Sequence, residues 1–230
     1  ADISARAEGR ARFVFAIAGP PGAGKSTFAE ALLAALEAVM PSEAVLMPMD
    51  GYHLDDGILI ERGLRSRKGA PDGFACDLAR IRAADREVFV PVFDRSLELS
   101  RAAARAIGPG HRVVLVEGNY LLLDRPPWSG LAAAFDRTLL LAVDREELRR
   151  RLIGRWLSHG LDPAAARALA EFDTLTFATA IAAAAGTGAL ALLAARDRIT
   201  PRLRARNEVE AVMRLAMIAC SVVAIMTTAG

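Results

Sequence analysis

The residues best suited to do chemistry come early in the chain. The run "GPPGAGKST", residues 19–27, fits the pattern G-x-x-x-x-G-K-[ST] at Gly19, Gly24, Lys25 and Ser26. Glycines in such a turn let successive backbone N–H groups curl toward phosphate oxygens, and the positive end of a following helix adds to the attraction. The expected phosphate-binding set is Gly19, Gly22, Ala23, Gly24, Lys25, Ser26 and Thr27. In this reading Lys25 reaches the β- and γ-phosphates of ATP and the Ser26 hydroxyl holds Mg²⁺. Phosphoryl transfer is mostly positioning and charge neutralisation, with one carboxylate receiving the proton of the attacking hydroxyl and another serving the metal. Two acids close apolar runs: Asp50 after "VLMPM" and Glu117 after Val113–Val116. Glu117 takes the metal role, and Asp50 is left as the base.

These residues need elements to bring them together. "FVFAIA", Phe13–Ala18, reads as a buried strand, and an amphipathic helix follows from near Lys25. Further strands are expected at 45–50, 112–123 and 137–144. In an open parallel sheet ligands sit outside the carboxyl ends of the strands, so the glycine-rich turn, Asp50 and Glu117 converge on one crevice. The expected fold is α/β: a P-loop NTPase fold, a central parallel sheet with helices on both faces. After the last strand, "REELRRRLIGRWLSHGL" reads as a helix capped by Asp144, with Glu146 and Glu147 in its first turn and Gly160 beyond its end. Arg151 and Arg155, four apart, share one face.

Composition narrows the class. The chain has 230 residues, 53% of them hydrophobic, enough for a sizeable core. A net charge of only +2 makes no case for a nucleic-acid partner. Two widely spaced cysteines, Cys76 and Cys220, argue against a disulfide framework and fit a reducing, cytoplasmic setting. Arg10 and Arg12 precede an apolar run, but the turn behind it reads as a phosphate loop, not a leader-peptide cleavage site. Of 29 Lys and Arg residues only Lys25 and Lys68 are Lys, which singles out both positions.

The blocks "GPPGAGKST", "MDGYHLDD", "RGLRSRKGAPD", "PVFDR" and "VEGNYLLLD", in this order, resemble the phosphoribulokinase/uridine kinase family of P-loop kinases. The likeness is greatest to its bacterial nucleoside/nucleotide kinase-like or fructokinase-like branch, which also resembles bacterial pantothenate kinases. The resemblance spans about residues 10–170 and implies ATP and Mg²⁺ at the glycine-rich turn, a base at Asp50 and a metal ligand at Glu117. It places Tyr52, His53, Arg62, Lys68 and Arg95 on the acceptor side, and an arginine-bearing lid at Arg151 and Arg155. Asp94 and Arg95 either meet substrate hydroxyls or pair with each other. His53 is either a substrate partner or a structural histidine. Pro71 is read as stopping any helix, so "ERGLRSRKGAPD", 61–72, is expected to be a loop, with a helix from near Ala75.

Residues 1–173 thus form the expected kinase domain, and 174–230 an unassigned extension. Its 174–195 stretch carries no charge and has the length of a membrane span, about 20 residues. Ala, Gly and Thr insert weakly, and a hairpin would carry its Arg-rich loop away from the ATP-containing compartment, so insertion is disfavoured. The expectation is an Ala-rich helical pair packed on the domain or, in a homodimer, on a second subunit. The expected activity is ATP-dependent phosphorylation of a hydroxyl on a small sugar or nucleoside. The alternative is a nucleotide-binding regulator on the same fold.

Overall fold

The strand β1 (Phe13–Ala18) alternates its side chains between two cores, and this alternation organises both layers of the protein. The computed structural model describes residues 2–63, 71–97, 99–123, 126, 128–171 and 190–193. A short helix α1 (Asp2–Ala7) precedes β1. Phe13 and Ile17 pack under the helix α2 (Lys25–Glu37) against Ala29, Leu32 and Leu36. Val14, Ala16 and Ala18 face the other way, toward Phe74, Leu78 and Ile81 of α4 (Pro71–Ala83). Each of the larger of these side chains, the Val, Leu, Ile and Phe, contributes roughly 1.5–3 kcal/mol when fully buried.

The other sheet strands are β2 (Ala44–Pro48), β5 (Val113–Gly118), β6 (Arg137–Ala142) and β7 (Leu190–Leu193). They lie parallel in the order β2-β5-β1-β6-β7. All six residues of β5 are buried, as a strand covered on both faces must be. Its register sets Ile17 beside Glu117 and Pro48 beside Glu117, so three strand ends meet at one level. Asp136 ties β6 to β1: its Oδ2 accepts the Val14 N–H at 2.8 Å and Arg82 at 2.9 Å.

Several expectations change at their edges. The strand expected to end at Asp50 stops at Pro48, and Met49–Tyr52 is a 3₁₀ turn carrying Asp50. The strand expected through 123 stops at Gly118, and the one expected through 144 at Ala142. The reading of Pro71 is reversed, because α4 begins there and not near Ala75. Proline lacks an N–H that the first helical turn leaves unpaired anyway, so it starts a helix as readily as it ends one.

A two-stranded antiparallel hairpin of β3 (Val88–Asp94) and β4 (Leu99–Ile107) stands outside the central sheet. Between β2 and α4 lies a short helix α3 (Asp56–Glu61), capped by Asp55. Helix α5 (Arg145–Ser158) is capped as anticipated, with Asp144 Oδ1 accepting the N–H groups of Glu146 and Glu147 at 2.9 and 3.3 Å. Residues 163–171 form a further helix. Of the extension from 174, only β7 is described, and there the expected helix is replaced by a strand. Leu-Ala-Leu-Leu is a short apolar run that pairs with the free edge of β6, from Leu139 opposite Leu190 to Ala142 opposite Leu193. Among the described residues no helix is long and apolar enough to cross a membrane.

Candidate active site

The turn after β1 bends into α2 through Gly24, whose φ of 91° lies in the left-handed region that residues with a Cβ rarely adopt. The first turn of α2 carries no acidic residue, so the positive helix end is uncompensated. Lys25 is folded back over the loop and only 8% exposed. Its Nζ donates to Pro20 O at 3.0 Å and to Asn119 Oδ1 at 2.5 Å. Burial lowers the Lys25 pKa from 10.5 to about 8, against the opposing pull of Glu117 and Asp50, while Arg155 and Arg95 push it down further.

That burial predicts a cost to the empty protein. Below about pH 8 the lysine is charged both folded and unfolded, so the whole penalty is felt. Between 8 and 10.5 the folded form sheds its proton first, and stability rises with pH. Lys25→Met should therefore stabilise the ligand-free protein by roughly 2–3 kcal/mol at neutral pH, an advantage that fades toward pH 10.5. Chemical denaturation at the two pH values measures it. A Met variant no more stable than the parent at neutral pH contradicts the penalty.

Glu117, at the end of β5, is 4% exposed, and its Oε1 accepts the Ser26 hydroxyl at 3.3 Å. Burial pushes its pKa up, Lys25 pulls it down and Asp50 pushes it up again. A buried carboxyl whose counter-charge is incomplete gains from a cation beside it. A hydroxyl and a carboxylate are hard oxygen donors, and Mg²⁺ is held by one or two carboxylates plus substrate phosphates, so these two residues fit that ion. Among the described residues no group of three or more His, Cys, Asp or Glu is placed to hold a metal ion.

Asp50 comes to the same crevice from the 3₁₀ turn after β2. The turn is pressed onto the hairpin: a Cβ at Gly51 would lie 2.4 Å from Pro91 O, and the Ser100 hydroxyl donates to Gly51 O. Pro91 sits where the hairpin register shifts between Val90 and Val92, a place where a strand tolerates a residue without an N–H. Arg95, just past the end of β3, donates from Nη2 to Asp50 Oδ2 at 2.9 Å. Of the two readings of "DR", the mutual ion pair is therefore not formed. Asp94 instead closes its own turn, accepting from Ser96 N–H, Ser96 OH and Leu97 N–H, and pairs with Arg101 at 3.5 Å.

The other acceptor-side residues divide. His53 packs edge-on against Phe93 at 5.9 Å, beside the Arg95 guanidinium, which lies 5.9 Å from the same ring. Tyr52 is buried against Phe74, its hydroxyl donating to Asp77 Oδ2 at 2.8 Å, and burial followed by that bond raises its pKa. It braces α4 against the turn. Arg62 is exposed at the end of α3, and Lys68 lies outside the described residues. On α5, Arg151 donates to Gly22 O at 3.2 Å and to Glu147 at 2.7 Å, so it rests on the glycine-rich loop. Arg155 is exposed above the Trp156 ring, 5.6 Å from its centroid. Asn119 is the site residue that sequence reasoning missed; its only signal is its position, two residues beyond Glu117 at a strand end.

A parallel sheet with a glycine-rich loop leading from β1 into a helix, a buried lysine in that loop and acids at adjacent strand ends defines a P-loop fold of the kinase type. A solved structure of a provisionally named fructose transport system kinase from Silicibacter sp. TM1040 is 41% identical, covers 76% of this chain and 87% of its own, and superposes with a TM-score of 0.69. A provisionally named uridine kinase of Schizosaccharomyces pombe is 34% identical over 161 residues, 65% of this chain and 68% of its own. The ATP-dependent kinase-like protein notR' of Aspergillus versicolor is 38% identical over 133 residues, 52% of this chain and 77% of its own. No protein-family model matches the chain. The chain belongs to the phosphoribulokinase/uridine kinase family of P-loop kinases.

Proposed function

We propose that residues 1–173, with β7 at the edge of their sheet, form an ATP-dependent kinase domain that phosphorylates a hydroxyl of a small polar metabolite, a sugar or a nucleoside. The observation that carries this reading is the meeting in one crevice of Lys25, the Ser26–Glu117 pair and the Asp50–Arg95 pair, each on a different strand end or loop. A protein that only bound nucleotide would need the first two and not the third. The names of the relatives, a uridine kinase and a fructose transport system kinase, agree with such acceptors.

In this mechanism the loop amides and Lys25 hold the triphosphate, and Ser26 and Glu117 hold Mg²⁺, which when bound neutralises charge on the phosphates. Arg95 fixes one oxygen of Asp50, and Oδ1, with no hydrogen-bond partner among the described residues, faces the acceptor and takes its proton. Tyr52 and His53 hold that turn in place, with Arg62 and Asp94 on the acceptor side. Arg151, already on the loop, and Arg155 one turn on, offset charge on the transferred group. The setting is the cytoplasm, where ATP is available.

The test is direct. The purified chain is incubated with ATP·Mg²⁺ and, in turn, nucleosides, pentoses, hexoses and pantothenate, and ADP release is followed. Release that depends on one sugar or nucleoside is the expected result. ATP binding without acceptor-dependent release across the whole panel overturns the reading in favour of a nucleotide-binding regulator, and release with pantothenate alone moves the acceptor to another class.

A further inference from the structure

Lys25 and Glu117 carry opposite charges in one crevice and are both almost out of water, 8% and 4% exposed. Each is felt by the other. Charges so placed attract strongly, because little water is left to screen them. They are nevertheless not bonded to each other. The lysine spends two of its three donors on Pro20 O and Asn119 Oδ1, and the Glu117 carboxylate receives the Ser26 hydroxyl instead. The Asn119 contact, 2.5 Å, is the shorter of the two lysine bonds.

We infer that Asn119 is a positioning residue that keeps the phosphate-binding lysine off the metal-binding carboxylate, by offering Nζ an acceptor that carries no charge. The inference rests on the phosphate role proposed above for Lys25. A carboxamide oxygen accepts a hydrogen bond without neutralising the ammonium, so the lysine meets the phosphates with its full charge. It also leaves Glu117 unpaired with lysine and open to a cation. The residue is well placed for this. It directly follows Gly118, the last residue of β5, and precedes Tyr120, which stacks on Trp128 with ring centroids 5.2 Å apart and anchors the segment. Without the carboxamide, the carboxylate that attracts Nζ most strongly is Glu117, and a Lys25–Glu117 pair would weaken both sites together.

The experiment compares the full chain with Asn119→Ala, Asn119→Asp and Lys25→Ala. Each is titrated with a fluorescent ATP analogue at several Mg²⁺ concentrations, with thermal melting as a check on folding. Asp has the shape of Asn but adds a carboxylate that captures the lysine, so Asn119→Asp should bind the analogue about tenfold more weakly than the parent. Asn119→Ala should bind about threefold more weakly and need more Mg²⁺ for half-maximal binding, since the lysine then falls on Glu117. A role in packing alone predicts the opposite order, with the isosteric Asp tolerated and Ala worse. That order, or an Ala variant with unchanged affinity and unchanged Mg²⁺ requirement, overturns the inference. Should Asn119→Asp fail to fold, the Mg²⁺ requirement of Asn119→Ala decides alone. Lys25→Ala separates the layers: if it loses the analogue while both Asn119 variants keep it, only the role of Asn119 falls, and if it keeps the analogue, the phosphate role of Lys25 falls first.

Discussion

Asp50→Asn should lower turnover by about 10²–10⁴-fold while ATP binding stays within about twofold of the parent. The Asn amide cannot receive a proton at neutral pH, but it keeps the size of the carboxylate and still offers an oxygen to Arg95. The 3₁₀ turn is held by its neighbours as well as by the Asp50 side chain: Gly51 lies against Pro91, and Tyr52 is tied to Asp77. Geometry should therefore survive while proton acceptance is lost. Turnover is measured with whichever acceptor gives ADP release, and binding with a fluorescent ATP analogue. A variant with parental turnover removes Asp50 from the role of base and leaves the nucleotide site untouched.

The second large effect belongs to Lys25→Ala. Here affinity and rate should fall together, affinity by about 10- to 100-fold, because a charge-assisted bond to phosphate is lost in a place screened from water. In Lys25→Met, which keeps the buried stem, the loss comes with a gain in stability, since the buried ammonium is a burden to the empty fold. A variant that melts higher and binds ATP worse is the signature of a residue kept for function. Parental ATP affinity in Lys25→Ala would remove the nucleotide from the glycine-rich loop.

The two predictions differ in how openly the sequence announced them. The loop was legible because phosphate constrains every position at once: glycine for the turn, lysine for the charge, a hydroxyl for the metal, in an order that a strand and a helix must flank. Glu117 was legible because an acid ends an otherwise apolar strand. Asp50 was legible as a residue but not in its setting, since an apolar run gives no sign of where pairing stops and a 3₁₀ turn begins. The hairpin went unread because β4, "LSRAAARAI", is mostly exposed Ala and Arg and shows no alternation for a strand argument to use. Asn119 was silent for a different reason: an uncharged amide draws notice only once the ammonium it touches is in view. The Arg95–Asp50 pair spans 45 positions of sequence, and nothing local reports it.

The close seating of Gly51 on Pro91 has an evolutionary consequence. With the Ser100 and Arg95 contacts it rivets the hairpin to the turn bearing Asp50, so under the proposed function the acceptor side, which carries Asp94 and Arg95, and the base are one mechanical part. Preference for a new acceptor in this lineage would then have to be inherited as a cassette. A hairpin transplanted from a relative brings its own seat for the base, and the 49–52 turn must travel with it or the hydroxyl arrives out of line.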